Sequence, residues 1–142
     1  MTILYCIFYL LFVKRKNYLH PSIFVGDAKE KGRGMFASGK IAADTVIEIA
    51  PVIVMNSNER KLLDQTLLHD YLFEWGQNQC CVAMGYISIY NHSYNANCRY
   101  EMNFVTQFIT VTSLRGIKPG EELLINYTAD SNDKTPVWFS VL

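Results

Sequence analysis

A chain of 142 residues can build one core but not two. Half of its residues are hydrophobic and 18% are charged, which excludes a disordered chain. Lys and Arg together equal Asp and Glu, so a large basic surface is excluded and no nucleic-acid partner is expected.

Residues 1–13 are almost wholly apolar, and Lys14-Arg15-Lys16 follows. A spanning helix needs about 20 apolar residues, so the run is too short for one. Its charges come after the apolar stretch, the reverse of a signal peptide. The segment reads as an extension outside the domain, with membrane contact through it as the minority reading. The domain begins near His20-Pro21, which divides the chain into an extension (1–19) and a domain with a short C-terminal tail (20–142). Residues 23–25 read as a strand, 29–34 as a charged turn carrying two glycines, and 35–37 as the start of a second strand. Residues 45–50 and 52–55 are β-branched runs broken by Pro51, which suits an edge or a bend.

Asn56-Ser57-Asn58-Glu59 resembles a capping box, with Asn56 as the N-cap. Leu63, Leu67, Leu68, Tyr71, Leu72 and Trp75 recur at helical spacing, and Gly76 is a plausible stop. One or two short helices are therefore predicted in the middle. Strands follow at 80–84, 87–90, 99–103, 108–113 and 122–127, with a turn at Lys118-Pro119-Gly120. The sum is a β-rich α+β fold of short strands. The cysteines are Cys6, Cys80, Cys81 and Cys98, with no C-x-x-C pair. Adjacent Cys80 and Cys81 would face opposite sides of a strand, so no metal site is expected and the thiols read as small buried hydrophobes.

Three stretches carry chemistry. In Gly32-Arg33-Gly34, two residues without Cβ let backbone approach a ligand, although an ordinary β-turn explains them as well. The dense polar cluster of residues 90–97 contains Asn91, His92 and Ser93. Taken alone, His92 reads as a hydrogen-bonded core or loop residue rather than a metal ligand. In Gly120-Glu121-Glu122-Leu123-Leu124-Ile125-Asn126-Tyr127, Tyr127 taken alone reads as a core tyrosine at a strand end.

In this order, G-x-G, N-H-S-x-x-x-N and G-E-E-L-x-x-x-Y resemble the SET domain family of lysine methyltransferases, over residues 23–139. The short chain without cysteine clusters looks most like the stand-alone SET proteins of bacteria and large viruses. Two positions depart from the family: Ala96 stands where proline is usual, and Tyr94 where cysteine is frequent. Neither touches an expected catalytic group.

The resemblance implies a β-clip-like SET fold with a C-terminal pseudoknot. It implies methyl transfer from S-adenosylmethionine to a lysine amine in a protein, a histone or another. Gly32, Arg33 and Gly34 would contact the cofactor through backbone, and Asn91 and His92 would hold its ends. Trp138, or Phe139, would close its pocket. Tyr127 would be catalytic. Tyr71 and Tyr86 would wall the lysine channel, with ordinary core packing as the other reading of each. A cytoplasmic setting follows, or the nucleus or host chromatin for a eukaryotic or viral source. Oligomeric state is left open, a homodimer included. The competing reading is a catalytically silent SET-like module that binds a peptide or the cofactor without turnover.

Overall fold

The computed structural model describes residues 17–130 and 132–137. Ten strands form two sheets: β1 (Tyr18–Leu19), β2 (Ile23–Asp27), β3 (Arg33–Ala37), β4 (Val46–Met55), β5 (Phe73–Trp75), β6 (Gln79–Ala83), β7 (Asn91–His92), β8 (Cys98–Asn103), β9 (Phe108–Ser113) and β10 (Glu122–Ile125). The larger sheet runs β5-β6-β4-β9-β8, with β1 beside the first half of β4. The smaller runs β2-β3-β10-β7. In β10 alternate residues, Leu123 and Ile125, are the buried ones, as in a strand with one covered face. Met35, Ala37, Leu123 and Ile125 from the smaller sheet join Ala50, Val52, Ile109 and Val111 from the larger in one core. Cys80, Cys81 and Cys98 are buried, and burial pushes the Cys81 and Cys98 thiols up to about 12. Cys6 and the apolar 1–13 run lie outside the described residues. Among those residues no helix is long and apolar enough to cross a membrane.

Strand pairing does not wait for residue 20. Tyr18 and Leu19 already pair with Ile49 and Glu48 of β4. Pro51 does not break β4 either. Its carbonyl accepts from Met84 N–H on the β6 side, so its missing N–H would also point there, where the flanking strand changes from β1 to β6.

The central helix is shorter than its leucine spacing predicts. The capping box forms as read: the Asn56 side chain accepts from Asn58 N–H and Glu59 N–H, and Glu59 Oε2 accepts from Asn56 N–H. Helix α1 (Ser57–Leu63) then stops, because the Thr66 hydroxyl donates to Leu63 O and accepts from Leu68 N–H. That bond restarts the chain as a 3-10 segment, Leu67–Tyr71. Leu67 is 76% exposed, so the leucines do not form a buried stripe. Gly76, at φ 59°, serves the β5–β6 hairpin instead of a helix end.

The apolar run at 87–90 is also not a strand; it is a 3-10 segment, Ile87–Ile89. Glu48 dictates this. It is 2% exposed, its Oε1 accepts from Tyr86 N–H at 2.7 Å, and its Oε2 accepts from the Tyr90 hydroxyl at 3.2 Å. One carboxyl thus grips both ends of the run and folds it tight. Gly85 (φ 92°) is required beside it, since a Cβ there would sit 2.5 Å from Glu48 Oε1.

Burial raises the Glu48 pKa; bonds from Tyr86 and Tyr90 oppose that shift without cancelling it. The native state therefore holds its proton to a higher pH than the unfolded chain, and stability falls as pH rises from about 4.5 through the raised value. Glu48→Gln keeps an acceptor for Tyr86 N–H and removes the titration. Denaturant melts across pH 4 to 8 should show a flatter curve for the variant, its stability relative to wild type improving as pH rises. Parallel curves would acquit Glu48.

Candidate active site

Two short strands from distant parts of the sequence make the floor of the site. β7 pairs in parallel with β10, placing Asn91 beside Leu124 and His92 beside Ile125. Two residues of ladder are too few to fix a register, and Asn97 supplies the rest. Its buried amide donates to Glu122 O at 2.7 Å and to Glu121 Oε1 at 3.2 Å, and its Oδ1 accepts from Leu124 N–H at 2.8 Å. The Arg115 side chain, first among several contacts, holds the Glu121 carboxyl down at about 2, so that partner stays an anion.

Asn91 is oriented from behind. Its Nδ2 donates to Glu122 Oε1 at 2.7 Å and to Arg33 O at 3.1 Å. Glu122 also faces Lys31 Nζ at 3.9 Å. These groups close over Gly34: a Cβ there would lie 2.5 Å from Glu122 Oε1 and 2.9 Å from Asn91 Nδ2. Gly32, with φ 77° and ψ −122°, adopts a conformation that L side chains avoid.

Tyr127 follows β10 and is fixed at three points. Its N–H donates to His92 Nδ1 at 3.2 Å, its carbonyl accepts from the Tyr100 hydroxyl at 2.9 Å, and its own hydroxyl donates to Tyr90 O at 3.0 Å. Burial pushes the phenol up to about 12, with Glu122, Tyr71 and Asp70 adding to the effect. Burial lowers the His92 pKa, with Lys31 adding to it. Around neutral pH the site therefore holds a protonated phenol and a neutral imidazole.

Two clefts meet at this tyrosine. The first, of about 820 Å³, is lined by Val25, Gly26, Asp27, Lys31, Gly32, Arg33, Ile89 and Asn91. The second, of about 780 Å³, runs past Phe73, Tyr90, Tyr100, Met102, Thr135, Pro136 and Val137. Asp70, Tyr71, Ser88 and Tyr127 line both. Volumes of this size suit a small-molecule ligand. Ser88 Oγ donates to Tyr71 O at 3.0 Å, tying the 3-10 segment Leu67–Tyr71 to the junction.

Of the expected site residues, the structure brings Gly32, Arg33, Asn91, Tyr71 and Tyr127 to the clefts. Gly34 and His92 line neither cleft: they stand behind the wall, one making room for the Asn91–Glu122 bond, the other positioning Tyr127. Tyr86 lines neither cleft and is 41% exposed, with its N–H held by Glu48 Oε1. Trp138 and Phe139 lie outside the described residues. Asp70 and Ser88 were not singled out from sequence, since one sat in an assumed helix and the other in an assumed strand.

The SET domain family model matches residues 32–128. A Schizosaccharomyces pombe histone-lysine N-methyltransferase specific for H3 lysine 37 is 36% identical over 104 residues, covering 72% of this chain and 71% of that protein. A Plasmodium falciparum structure described as a candidate histone methyltransferase is 28% identical with a TM-score of 0.58, covering 77% of this chain and 95% of that one. The Chaetomium thermophilum Polycomb Repressive Complex 2 bound to S-adenosylmethionine shares the fold at a TM-score of 0.64 and 21% identity, over 75% of this chain and 15% of that one. The chain belongs to the SET domain family.

The glycine cradle generates a prediction. Gly34→Ala should break the Asn91–Glu122 geometry and weaken S-adenosylmethionine binding about 10-fold or more by calorimetry, or about 1.4 kcal/mol. Gly39→Ala, whose Cβ would have Ser22 Oγ as nearest neighbour at 3.2 Å, should bind as wild type does. Equal affinity for both variants would dissociate the cradle from the cofactor.

Proposed function

On the premise of that membership, we propose that this chain methylates a lysine of a histone, with Tyr127 at the reacting centre. The activity itself, methyl transfer from S-adenosylmethionine to a protein lysine, is that of the family. The histone-lysine methyltransferase relatives support the choice of substrate, and a nuclear, chromatin-bound role follows from it. The observation that carries the site assignment is the meeting of two clefts at Tyr127, one end for each reactant.

The first cleft is the cofactor end in this reading. Its wall is largely backbone at Gly26 and Gly32, with Arg33 and the Asn91 amide beside it. The described residues offer the Asn91 Oδ1 no donor, which suits a group that must accept from a ligand's amine. His92 acts through Tyr127 instead of touching the cofactor. Trp138 remains assigned to closing this pocket on the family resemblance alone. Bound S-adenosylmethionine supplies an activated methyl on a sulfonium.

The second cleft takes the lysine, and Tyr71, Phe73, Tyr90, Tyr100 and Tyr127 make it aromatic. Free lysine has a pKa of about 10.4, so presenting it neutral at pH 7 costs about 4.6 kcal/mol. Aromatic walls reduce that cost by desolvating the ammonium. Tyr127 does not take the proton, since a phenol at about 12 is no base at neutral pH. With its own proton committed to Tyr90 O, it meets an amine as an acceptor and aligns the lone pair. A silent binding module is not favoured, because the junction retains its tyrosine in a built, doubly open site.

Incubation with labelled cofactor and recombinant histone H3, followed by mass spectrometry, should locate a methylated lysine. Label on no histone lysine would remove the substrate assignment. Tyr127→Phe removes one oxygen and little volume, so melts should match wild type. Its kcat should fall roughly 10- to 1000-fold, or about 1.4–4 kcal/mol, while cofactor affinity changes far less. A folded variant with wild-type turnover would take Tyr127 out of the chemistry.

A further inference from the structure

Of the four residues shared by both clefts, Asp70 alone carries a charge. Its carboxylate has no hydrogen-bond or ion-pair partner among the described residues, unlike its acidic neighbours. Asp64 and Glu74 hold Arg60, and Asp64 also holds His69 at 3.0 Å. On the first cleft Lys31 is engaged by Glu122. The segment carrying Asp70 is not adrift: Thr66 caps its start and Ser88 pins its end at Tyr71.

Resting on the lysine-methyltransferase reading above, we propose that Asp70 is a substrate-docking residue that draws the protonated lysine ammonium to the junction of the two clefts. Two cations, a sulfonium and an ammonium, must come together there, and their repulsion opposes loading of the second. An anion open to both clefts offsets that repulsion. The same charge stabilises the ammonium against losing its proton. Asp70 therefore favours docking and delays deprotonation, two effects of opposite sign on the reaction.

The other charged groups facing the junction are Asp27, Lys31 and Arg33 from the first cleft, and Arg60, Asp64, His69 and Glu74 from the second. The phenols of Tyr71, Tyr90, Tyr100 and Tyr127 and the Cys80 thiol complete the set. His69, the histidine lining the second cleft, is removed in a parallel background.

The test uses the full chain and recombinant histone H3. Asp70→Asn should raise KM for H3 about 10-fold and move the acid limb of the kcat–pH profile down by roughly one unit. The limb shift should persist in a His69→Gln background. Asp70→Glu should recover much of the KM. S-adenosylmethionine affinity by calorimetry should stay within about 2-fold. A merely structural residue would lower the melting temperature without moving the limb. Unchanged KM and limb in a turning-over enzyme would overturn the assignment, as would a loss confined to cofactor affinity. Wild-type protein that binds cofactor but methylates no lysine would instead sink the parent reading, and this one with it.

Discussion

The site depends on a parallel pairing only two residues long. Asn91 and His92 belong to one part of the chain, Leu124 and Ile125 to another, and the β8–β9 hairpin occupies the crossover between them. A ladder this short cannot hold register unaided, and a slip of one residue would exchange buried for exposed faces all along β10. Asn97 prevents it by bonding the backbone on both sides of Leu123. Ser93 N–H extends the same ladder by donating to Ile125 O. Beyond it, Asn126 donates to Asp130 O and Asp133 O and folds the tail back. The Tyr94 hydroxyl then catches Thr135 O and Val137 N–H, which brings the tail to the second cleft.

That framework decides which polar residues face the clefts and which stand behind them. His92 is spent on the Tyr127 backbone, and Glu122 on Asn91. The result is a junction with no strong base: burial keeps the phenol protonated and the imidazole neutral. Methyl transfer to an amine requires no base on the enzyme once the ammonium has lost its proton to solvent. Desolvation and alignment are then the contributions left for the protein to make.

Local chemistry was legible in the sequence wherever the signal and its partner lay close together. The Asn56 capping box involves four adjacent residues and forms as read. The strand over 108–113 is found with those bounds. Failures came where a distant residue overruled a local pattern. Nothing near residues 87–90 announces that Glu48, some forty positions earlier, will seize both ends of that run. The leucines at 63, 67 and 68 keep helical spacing without a face to bury, because a threonine hydroxyl interrupts the helix first. At the site, sequence identified the motif residues but not their depth. Whether Gly34 or His92 touches a ligand depends on packing between strands, which spacing does not encode.

The channel wall is the least anchored part of the design. Helix α1 and the 3-10 segment after it expose Leu62, Leu67 and Leu68 and bury no residue of their own. Their attachment to the body is polar: Arg60 to Glu74 and Gln79 O, and Ser88 to Tyr71 O. Surface bonds of this kind each contribute little, about 0.2–1 kcal/mol for an exposed pair. A segment with few buried contacts opens more readily than the core to which it is tied. Tyr71 and Asp70 ride on that segment, whereas Asn91 lies in β7, Tyr90 immediately before it, and Tyr127 two residues after β10. The junction of the two clefts is therefore bounded by residues tied to the sheets on one side and by a segment with few buried contacts on the other. In the proposed reading the first side holds the cofactor, and the second admits a protein's lysine to the tyrosine.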